Sequence, residues 1–223
     1  MTTTQPVSVR ERHHRSTKTI IFDFDGTIAD SFAAILRISN RLATEFGYPE
    51  TRPEDVEQLK SLSSREIVRR SRVSPVKLPF LLRRLRRELQ QEIGQLQPIP
   101  GMKTAIAQLY RQGYRLGIVT SNSQENVAAF LQAQELEHAF DFIGSGLAVF
   151  GKGRILQRIL KQYQLNPAQV LYVGDETRDI EAARHTGIRI VAVGWGFNSP
   201  SALAAEHPDF LIQHPGELLA VVE

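Results

Sequence analysis

The most informative absence in this 223-residue sequence is cysteine, of which it has none. A chain without thiols forms no disulfide, offers no thiolate to zinc and carries no cysteine nucleophile. Long apolar runs are also missing, because no stretch approaches the roughly 20 residues that a membrane-spanning helix needs. We therefore expect no transmembrane segment, and any chemistry must depend on oxygen and nitrogen side chains.

The N-terminal segment carries several basic residues but lacks the apolar region of a secretory signal. We expect residues 1–17 to be a disordered tail in which His13 and His14 are solvated. A short organelle-targeting role for this tail stays open. Together with the lack of cysteine, the missing signal favours a reducing compartment, most simply the cytoplasm.

Positive charge is concentrated in one part of the chain, although the formal net charge is only +3. The segment from Lys60 to Arg87 holds ten Lys and Arg residues and a single acid, Glu66. Such a cluster attracts anionic substrates, nucleic acid or anionic membranes. Nucleic-acid binding would need aromatic residues between the basic ones, and this segment offers little beyond Phe80. We therefore expect neither a nucleic-acid partner nor a membrane partner.

Two kinds of apolar pattern divide the chain. Residues 19–25 form a short β-rich apolar run that predicts a buried strand. From residue 31 to about residue 97, apolar residues recur at helical spacing instead. Pro53, Pro75 and Pro79 interrupt this region, which predicts three or four helices and no strand.

After Pro98 the sequence alternates regularly between helical patterns and continuous apolar strands. This alternation predicts a parallel sheet with helices on both faces. We assign the fold to the α/β class, with a Rossmann-like core formed by residues 18–31 and 98–223 and an inserted all-helical cap formed by residues 32–97. The run at residues 209–213 is expected to be an edge strand.

Polar side chains follow three of the predicted strands, at the point where each strand ends. The candidate residues are Asp23 and Asp25 after the first strand, Thr120, Ser121 and Asn122 after a second, Asp175, Glu176 and Asp179 after a third, and Lys152 at the start of a helix. Open parallel sheets bind ligands at the carboxyl ends of their strands. We therefore expect these side chains to share one rim of the sheet.

The residue types at this rim suit phosphate chemistry. Three or four carboxylates make a hard-oxygen site for Mg²⁺, and the Thr120 hydroxyl and the Lys152 ammonium suit phosphate oxygens. One carboxylate can attack a phosphorus atom, and a second carboxylate two residues further on can protonate the leaving oxygen. The residues therefore predict phosphoryl transfer, in which positioning and charge neutralisation do most of the catalysis.

Four ordered segments give the sequence a resemblance to a known family. DFDGTIADS, IVTSN, the lysine of GKGR and VGDETRDIEAA resemble the four motifs of the haloacid dehalogenase superfamily. PGMKTAIAQLYRQGYRLGIVTSN and the later WGF segment resemble its phosphoglycolate phosphatase-like branch. The resemblance spans about residues 18–215. It implies a Mg²⁺-dependent phosphatase for a small phosphorylated metabolite, with 2-phosphoglycolate as the best single assignment.

The resemblance also implies roles for the acidic residues. Asp23 is expected to be the nucleophile that forms an aspartyl-phosphate, and Asp25 is expected to be the general acid and base. Asp23, the backbone carbonyl of Asp25, and Asp175 are expected to hold Mg²⁺. Glu176 stands where many relatives carry a shorter side chain, so it is either an extra metal or water ligand or a solvent-facing residue.

The phosphate-binding residues follow from the same resemblance. Thr120 is expected to hydrogen-bond the transferring phosphoryl group, with Ser121 and Asn122 completing the substrate-binding loop. Lys152 is expected to neutralise the nucleophile and the phosphoryl oxygens. Asp179 is expected to support the acidic rim, by gripping either Lys152 or metal-bound water.

The cap sequence carries no motif that identifies a substrate. The arginines of its last helix, Arg83, Arg84, Arg86 and Arg87, are interpreted as a solvated face. Arg65 is the cap residue that we select as a candidate contact for a substrate carboxylate or second phosphate, although a position away from the site is the simpler interpretation.

Two other functions stay open on the sequence alone. A sugar-phosphate mutase of the same superfamily would form the same aspartyl-phosphate but return the phosphoryl group to its substrate. A non-enzymatic phospho-accepting or anion-binding module would also gather acids, a hydroxyl and a lysine at a sheet rim. A receiver domain, however, carries its phosphorylated aspartate on a middle strand and lacks a long insertion after the first strand. The sequence predicts no oligomeric state.

Overall fold

Six parallel strands form the centre of the molecule. The computed structural model describes residues 17–146 and 151–222. Its strands are β1 (Thr19–Phe22), β2 (Arg115–Thr120), β3 (Phe142–Ser145), β4 (Val170–Gly174), β5 (Arg189–Val193) and β6 (Phe210–Ile212). They lie side by side in the order β3-β2-β1-β4-β5-β6, and every neighbouring pair is parallel. The β1 strand is therefore central, and β6 is the edge strand that the sequence predicted.

Helices occupy most of the remaining described chain. They are α1 (Phe32–Phe46), α2 (Val56–Lys60), α3 (Ser64–Ser71), α4 (Leu78–Glu92), α5 (Met102–Arg111), α6 (Gln124–Ala133), α7 (Lys152–Gln162), α8 (Thr177–Thr186), α9 (Pro200–Ala205) and α10 (Leu218–Val222). Within the described ranges, no helix has both the length and the apolar composition required to cross a bilayer.

The strands are apolar throughout because both faces of the sheet are covered. All four residues of β1 are buried, and alternate residues enter different cores: Ile20 and Phe22 join one hydrophobic cluster, whereas Ile21 joins the other. Side chains alternate faces along a strand, so this split shows helices packed on both sides. Each such isoleucine or phenylalanine contributes roughly 1.5–3 kcal/mol by its burial. The predicted α/β class is confirmed.

The segment between β1 and α5 contains four α-helices and no strand among its residues, as the sequence predicted. In α1, Ala34, Ile38 and Leu42 are buried at intervals of four residues, and in α4 Leu81 and Leu89 are buried. These stripes pack α1 against α4. The division of the chain into a core and a cap of residues 32–97 stays our proposal, and we use the word cap in this sense.

The prolines act as the sequence predicted. Pro53 lies at the start of a 3₁₀ turn, and Pro79 lies in the first turn of α4. The N–H groups of a first turn have no partner within the helix, so proline removes no helical hydrogen bond there. Pro75 lies in the turn between α3 and α4.

The N-terminal tail lies almost entirely outside the described residues. Thr17, which we included in that tail, is buried, and its Oγ1 accepts a hydrogen bond from Arg189 Nη2 at 2.8 Å. Thr17 therefore belongs to the core and not to the predicted tail.

Several hydrogen bonds dock the cap on the core beside the carboxyl ends of the strands. Before α3, the carbonyl oxygens of Lys60 and Leu62 accept hydrogen bonds from Asn198 Nδ2 at 3.0 and 2.8 Å. On α4, Arg86 Nη2 donates to the Gly146 carbonyl at 2.6 Å, just after β3. These contacts hold the cap over the rim, and an open cavity lies between cap and core.

Candidate active site

A buried lysine joins two of the predicted acidic residues. Lys152 is the first residue of α7, and its Nζ lies 2.5 Å from Asp23 Oδ2 and 2.5 Å from Asp179 Oδ1. All three side chains are at most 3% exposed. Asp23 directly follows the central strand β1 and therefore lies at the rim formed by the carboxyl ends of the strands. The structure thus brings Lys152 to Asp23, as the sequence predicted, and shows Asp179 gripping the same ammonium.

Burial and charge act in opposite directions on this cluster. Burial raises the pKa of Asp23 to about 7, because desolvation disfavours its charged form more than Lys152 favours it. Burial alone would lower the pKa of Lys152, but Asp179 and Asp23 outweigh that effect and hold it above its ordinary value. Lys152 therefore stays a cation beside Asp23.

Asp175 is held rigidly at the end of β4. Its Oδ1 accepts a hydrogen bond from Thr27 Oγ1 at 2.6 Å, and its Oδ2 accepts one from the Phe197 backbone N–H at 2.7 Å. Gly26 and Gly196 make this placement sterically possible, because a methyl group on either would overlap the Asp175 carboxylate. Gly26 also has a φ of +78°, a conformation that glycine adopts without strain.

Three carboxylates lie close enough to hold one metal ion. Oxygen atoms of Asp23, Asp175 and Asp179 all lie within 4.8 Å of one another, and all three residues are buried. Burial raises the pKa of Asp175 well above its ordinary range, and the neighbouring Asp23 raises it further. A divalent cation would offset both the cost of burying the Asp175 charge and its repulsion by Asp23. Carboxylate oxygens are also ligands that Mg²⁺ prefers. The donor set therefore fits Mg²⁺.

Asp25 lies apart from these three side chains, next to the loop after β2. Asn122 Nδ2 donates to Asp25 Oδ2 at 3.0 Å and to its Oδ1 at 3.3 Å. Burial raises the pKa of Asp25, and the hydrogen bond from Asn122 lowers it by a smaller amount. A carboxyl group with a raised pKa keeps its proton at higher pH, which suits a general acid.

The three predicted phosphate-binding residues of the β2 loop differ in position. Thr120 is fully buried, and its Oγ1 accepts a hydrogen bond from the Asn122 backbone N–H at 2.9 Å. Ser121 lies near the charged rim, with its Oγ 3.4 Å from Arg178 Nη2. Asn122 holds Asp25 and is itself held by Asn126, whose Nδ2 donates to its Oδ1 at 2.9 Å. Thr120 therefore shapes the loop, while Ser121 and Asn122 face the rim.

Among the described residues, Glu176 does not belong to the cluster of three carboxylates that could hold a metal, and it does not face solvent. Its Oε2 accepts a hydrogen bond from Ser64 Oγ of the cap at 2.7 Å, and its Oε1 accepts one from Arg178 Nε at 2.9 Å. Burial raises the pKa of Glu176, but the charges of Arg178 and Lys152 and the hydrogen bonds from Ser64 and Arg178 together outweigh it, so the net pKa lies below the ordinary value. The charged form of Glu176 thus links the cap to the rim.

A cavity of about 230 Å³ lies between the cap and the rim. Its polar wall consists of Asp25, Ser64, Arg86, Ser121, Asn122, Glu176 and Arg178. Apolar side chains from the cap helices form most of the remaining wall. Asp23 and Thr120 are not among the described residues that line it, and Asp23 is only 2% exposed. A substrate therefore reaches Asp23 only after side chains at the rim or the cap move.

Sequence reasoning missed three polar residues of this region. Arg178 lies between Glu176 and Asp179 in the VGDETRDIEAA motif, and this position could have identified it as a rim residue. Thr27 follows the Asp25-Gly26 turn, which is a weaker signal. Ser64 has no recognisable signal, because its contact depends on how the cap docks.

Of the cap arginines, Arg65 lies away from the site, as the simpler interpretation held, whereas Arg86 differs from our interpretation. Arg65 Nη2 donates to Glu181 Oε1 at 2.6 Å on the exposed side of α8, outside the cavity. Arg86, which we assigned to a solvated face, lines the cavity instead. The sequence could not distinguish Arg86 from the other three arginines of α4, since all four have similar neighbours in the sequence.

Comparison with known proteins agrees with this geometry. Residues 20–193 match the family model described as haloacid dehalogenase-like hydrolase. A phosphoglycolate phosphatase from Synechococcus elongatus is 44% identical over 203 residues, which cover 91% of this chain and 96% of that protein. One from Vibrio cholerae is 30% identical and covers 93% and 98% of the two chains.

Solved structures show the same fold. A haloacid dehalogenase-like hydrolase from Streptococcus pneumoniae has a TM-score of 0.78 at 25% identity and covers 93% of this chain and 99% of its own. A predicted phosphatase from Clostridium acetobutylicum has a TM-score of 0.80 at 16% identity, with the same coverage. The chain therefore belongs to the haloacid dehalogenase-like hydrolases, and its full-length similarity to phosphoglycolate phosphatases places it among their phosphatases.

Proposed function

We propose that this chain is a Mg²⁺-dependent phosphatase that hydrolyses a small phosphorylated metabolite, with 2-phosphoglycolate as the best single substrate, through an aspartyl-phosphate on Asp23. The observation that carries the proposal is the pairing of Asp23 with Lys152 beside Asp175 and Asp179. The names of the relatives support the choice of substrate. The cytoplasmic location and the small-molecule partner stay predictions.

In the first step, a carboxylate oxygen of Asp23 attacks the phosphorus atom. The new bond joins that oxygen to phosphorus, and the bond from phosphorus to the ester oxygen breaks. Asp25 gives its proton to the leaving oxygen, so the alcohol departs neutral. Lys152 offsets the negative charge that gathers on the phosphoryl oxygens.

In the second step, water hydrolyses the aspartyl-phosphate. Asp25, now a carboxylate, takes a proton from the attacking water, whose oxygen forms a new bond to phosphorus. The bond from phosphorus to the Asp23 oxygen breaks, which releases phosphate and restores the Asp23 carboxylate. Asp23, Asp175 and the Asp25 carbonyl would hold Mg²⁺, with Asp179 as a neighbouring carboxylate. The bound ion would neutralise the acids and the phosphoryl oxygens. Asn122 keeps Asp25 oriented through both steps.

The proposal is tested with purified protein, Mg²⁺ and 2-phosphoglycolate. We expect release of free phosphate, and we expect Asp23→Asn to lower it by at least about a thousandfold, since the nucleophile is lost. Asp30→Asn is the matched control, because Asp30 lies nearby but is exposed. A wild-type protein inactive on a broad panel of phosphate monoesters would overturn the proposal, and an isomeric ester in place of free phosphate would indicate a mutase.

A further inference from the structure

We propose that Arg86 makes this enzyme selective for small phosphate esters that carry a second anionic group, a carboxylate, which Arg86 binds directly. The inference rests on the proposed phosphatase function and adds the residue that recognises the non-reacting end of the substrate. Four features of the structure carry it.

The first feature is position. Arg86 belongs to the cap helix α4, yet it lines the same cavity as Asp25, Ser121 and Asn122 at the rim. A molecule of a few heavy atoms inside this cavity therefore contacts both the rim and Arg86. The cavity volume of about 230 Å³ is below the roughly 300–1,000 Å³ of sites for drug-sized ligands, so it suits only a small ester.

The second feature is orientation. Arg86 Nη2 donates to the Gly146 carbonyl at 2.6 Å, and the Arg86 carbonyl accepts a hydrogen bond from Asn126 Nδ2 at 3.1 Å. Two core elements thus hold both the guanidinium and the backbone of this residue. A guanidinium fixed in this way loses less conformational entropy when it binds an anion.

The third feature is charge. The other arginine on the cavity wall, Arg178, is paired with Glu176. Among the described residues, no carboxylate forms an ion pair with Arg86, whose one side-chain hydrogen bond goes to a neutral carbonyl. Burial lowers the pKa of Arg86, and the charge of Asp25 offsets only part of this effect. A bound anion would relieve this cost of burying the guanidinium.

The fourth feature is the chemistry of the surrounding cap wall. Its other residues are apolar apart from Ser64, whose hydroxyl is occupied by Glu176. The apolar set comprises Ile35, Ile67, Val68, Leu78, Leu82, Leu85 and Leu89. Arg86 is therefore the one cation that the described cap residues offer to a ligand in this cavity. A planar carboxylate matches its fork of N–H donors.

The test compares two substrates of similar size in the full-length enzyme with Mg²⁺. One is 2-phosphoglycolate, which carries a carboxylate, and the other is 2-hydroxyethyl phosphate, which carries a neutral hydroxyl in its place. For the wild type we expect a kcat/KM at least about tenfold higher with 2-phosphoglycolate, the lower end of what a hydrogen bond to a charged group contributes.

Arg86→Gln separates recognition from general damage. We expect it to lower kcat/KM for 2-phosphoglycolate roughly 10- to 100-fold more than for the neutral substrate, mostly through KM, because the lost contact with Gly146 affects both substrates alike. Arg86→Lys keeps the charge and should recover part of the loss. Arg87→Gln is the matched control, because it removes the neighbouring arginine, which is exposed on the same helix.

The possible results distinguish this inference from the proposed function. A wild type that hydrolyses neither substrate, nor any other phosphate monoester, overturns the proposed function. A wild type that hydrolyses both equally well, or an Arg86→Gln variant that loses both activities to the same extent, overturns only the role of Arg86. Selective loss of 2-phosphoglycolate hydrolysis supports it.

Discussion

Lys152 Nζ lies 2.5 Å from Asp23 Oδ2, and both side chains are only 3% exposed. The same ammonium lies 2.5 Å from Asp179 Oδ1. One buried cation is thus shared by the candidate nucleophile and by an aspartate that also accepts a hydrogen bond from the Glu176 backbone N–H at 3.1 Å. Because α8 and α7 meet at this point, the position of Lys152 depends on how the two helices pack.

We predict that Lys152→Met lowers both activity and stability. Removing one partner of a buried ion pair leaves uncompensated charge and typically costs about 3–5 kcal/mol. Activity should fall at least about a hundredfold, since the variant lacks the cation beside Asp23. Thermal unfolding and phosphate release measure the two effects. Lys161→Met, an exposed position in the last turn of α7, should leave both nearly unchanged. A fully active Lys152→Met protein would contradict the role of this lysine.

Metal removal provides a second prediction. Chelation should abolish phosphate release, and Mg²⁺ should raise the unfolding temperature of the wild type, because a ligand that binds only the folded state stabilises it. The increase should be much smaller in Asp175→Asn, which loses one of the three carboxylates that we propose to surround the ion. Differential scanning calorimetry with and without Mg²⁺ measures this. An equal increase in Asp175→Asn and in the exposed control Asp30→Asn would show that the cation binds elsewhere.

The metal-free protein should become less stable as pH rises. The pKa of Asp23 is raised from 3.8 to about 7 by burial, so its stabilising contribution is complete below about pH 4 and is lost as pH rises towards 7. We expect the free energy of unfolding in chelator to fall between pH 5 and pH 7, and Mg²⁺ to reduce that fall because it favours the charged carboxylate. Urea denaturation at several pH values measures this. Asp23→Asn should show a smaller slope, and an unchanged slope would refute the assignment.

The bond from Ser64 to Glu176 should help to keep the cap docked. Its Oγ–Oε2 distance is 2.7 Å, and hydrogen bonds to charged groups contribute roughly 1.5–3 kcal/mol. Ser64→Ala should therefore speed hydrogen exchange at the amides of α3 and change kcat/KM by a few fold. A double-mutant cycle with Glu176→Gln measures the coupling between the two side chains. Ser74→Ala, at an exposed position in the same cap, is the control, and additive effects in the cycle would argue against a direct link.

Much of the fold was predictable because the signals are local. The first four residues of the apolar run at residues 19–25 became the central buried strand, which ends at Phe22 instead of residue 25, and the proline positions marked helix starts and turns in the cap. Thr17 was wrongly assigned to the tail, since its contact with Arg189 joins residues that are far apart in the sequence. No local pattern reports such a pairing.

The candidate site was predictable to a smaller extent. Residues directly after strands, such as Asp23 and Asp175, were placed at the rim because parallel strands end together. The cap residues were not predictable in the same way. Arg65 and Arg86 are both arginines on amphipathic helices, yet one pairs with Glu181 outside the cavity and the other lines its wall.

The sequence by itself determined the α/β class and the rim on which the acids gather, because strand periodicity and the polar residues that follow each strand are local properties of the chain. Its resemblance to a known family pointed to Lys152 as their cation. Only the tertiary structure decided that Asp179 shares that lysine, that Glu176 binds the cap, and that Arg86 faces the cavity. The physical reason is that these contacts depend on the angle at which the helices pack and on which side chains that packing buries. Sequences with the same apolar pattern can differ in both.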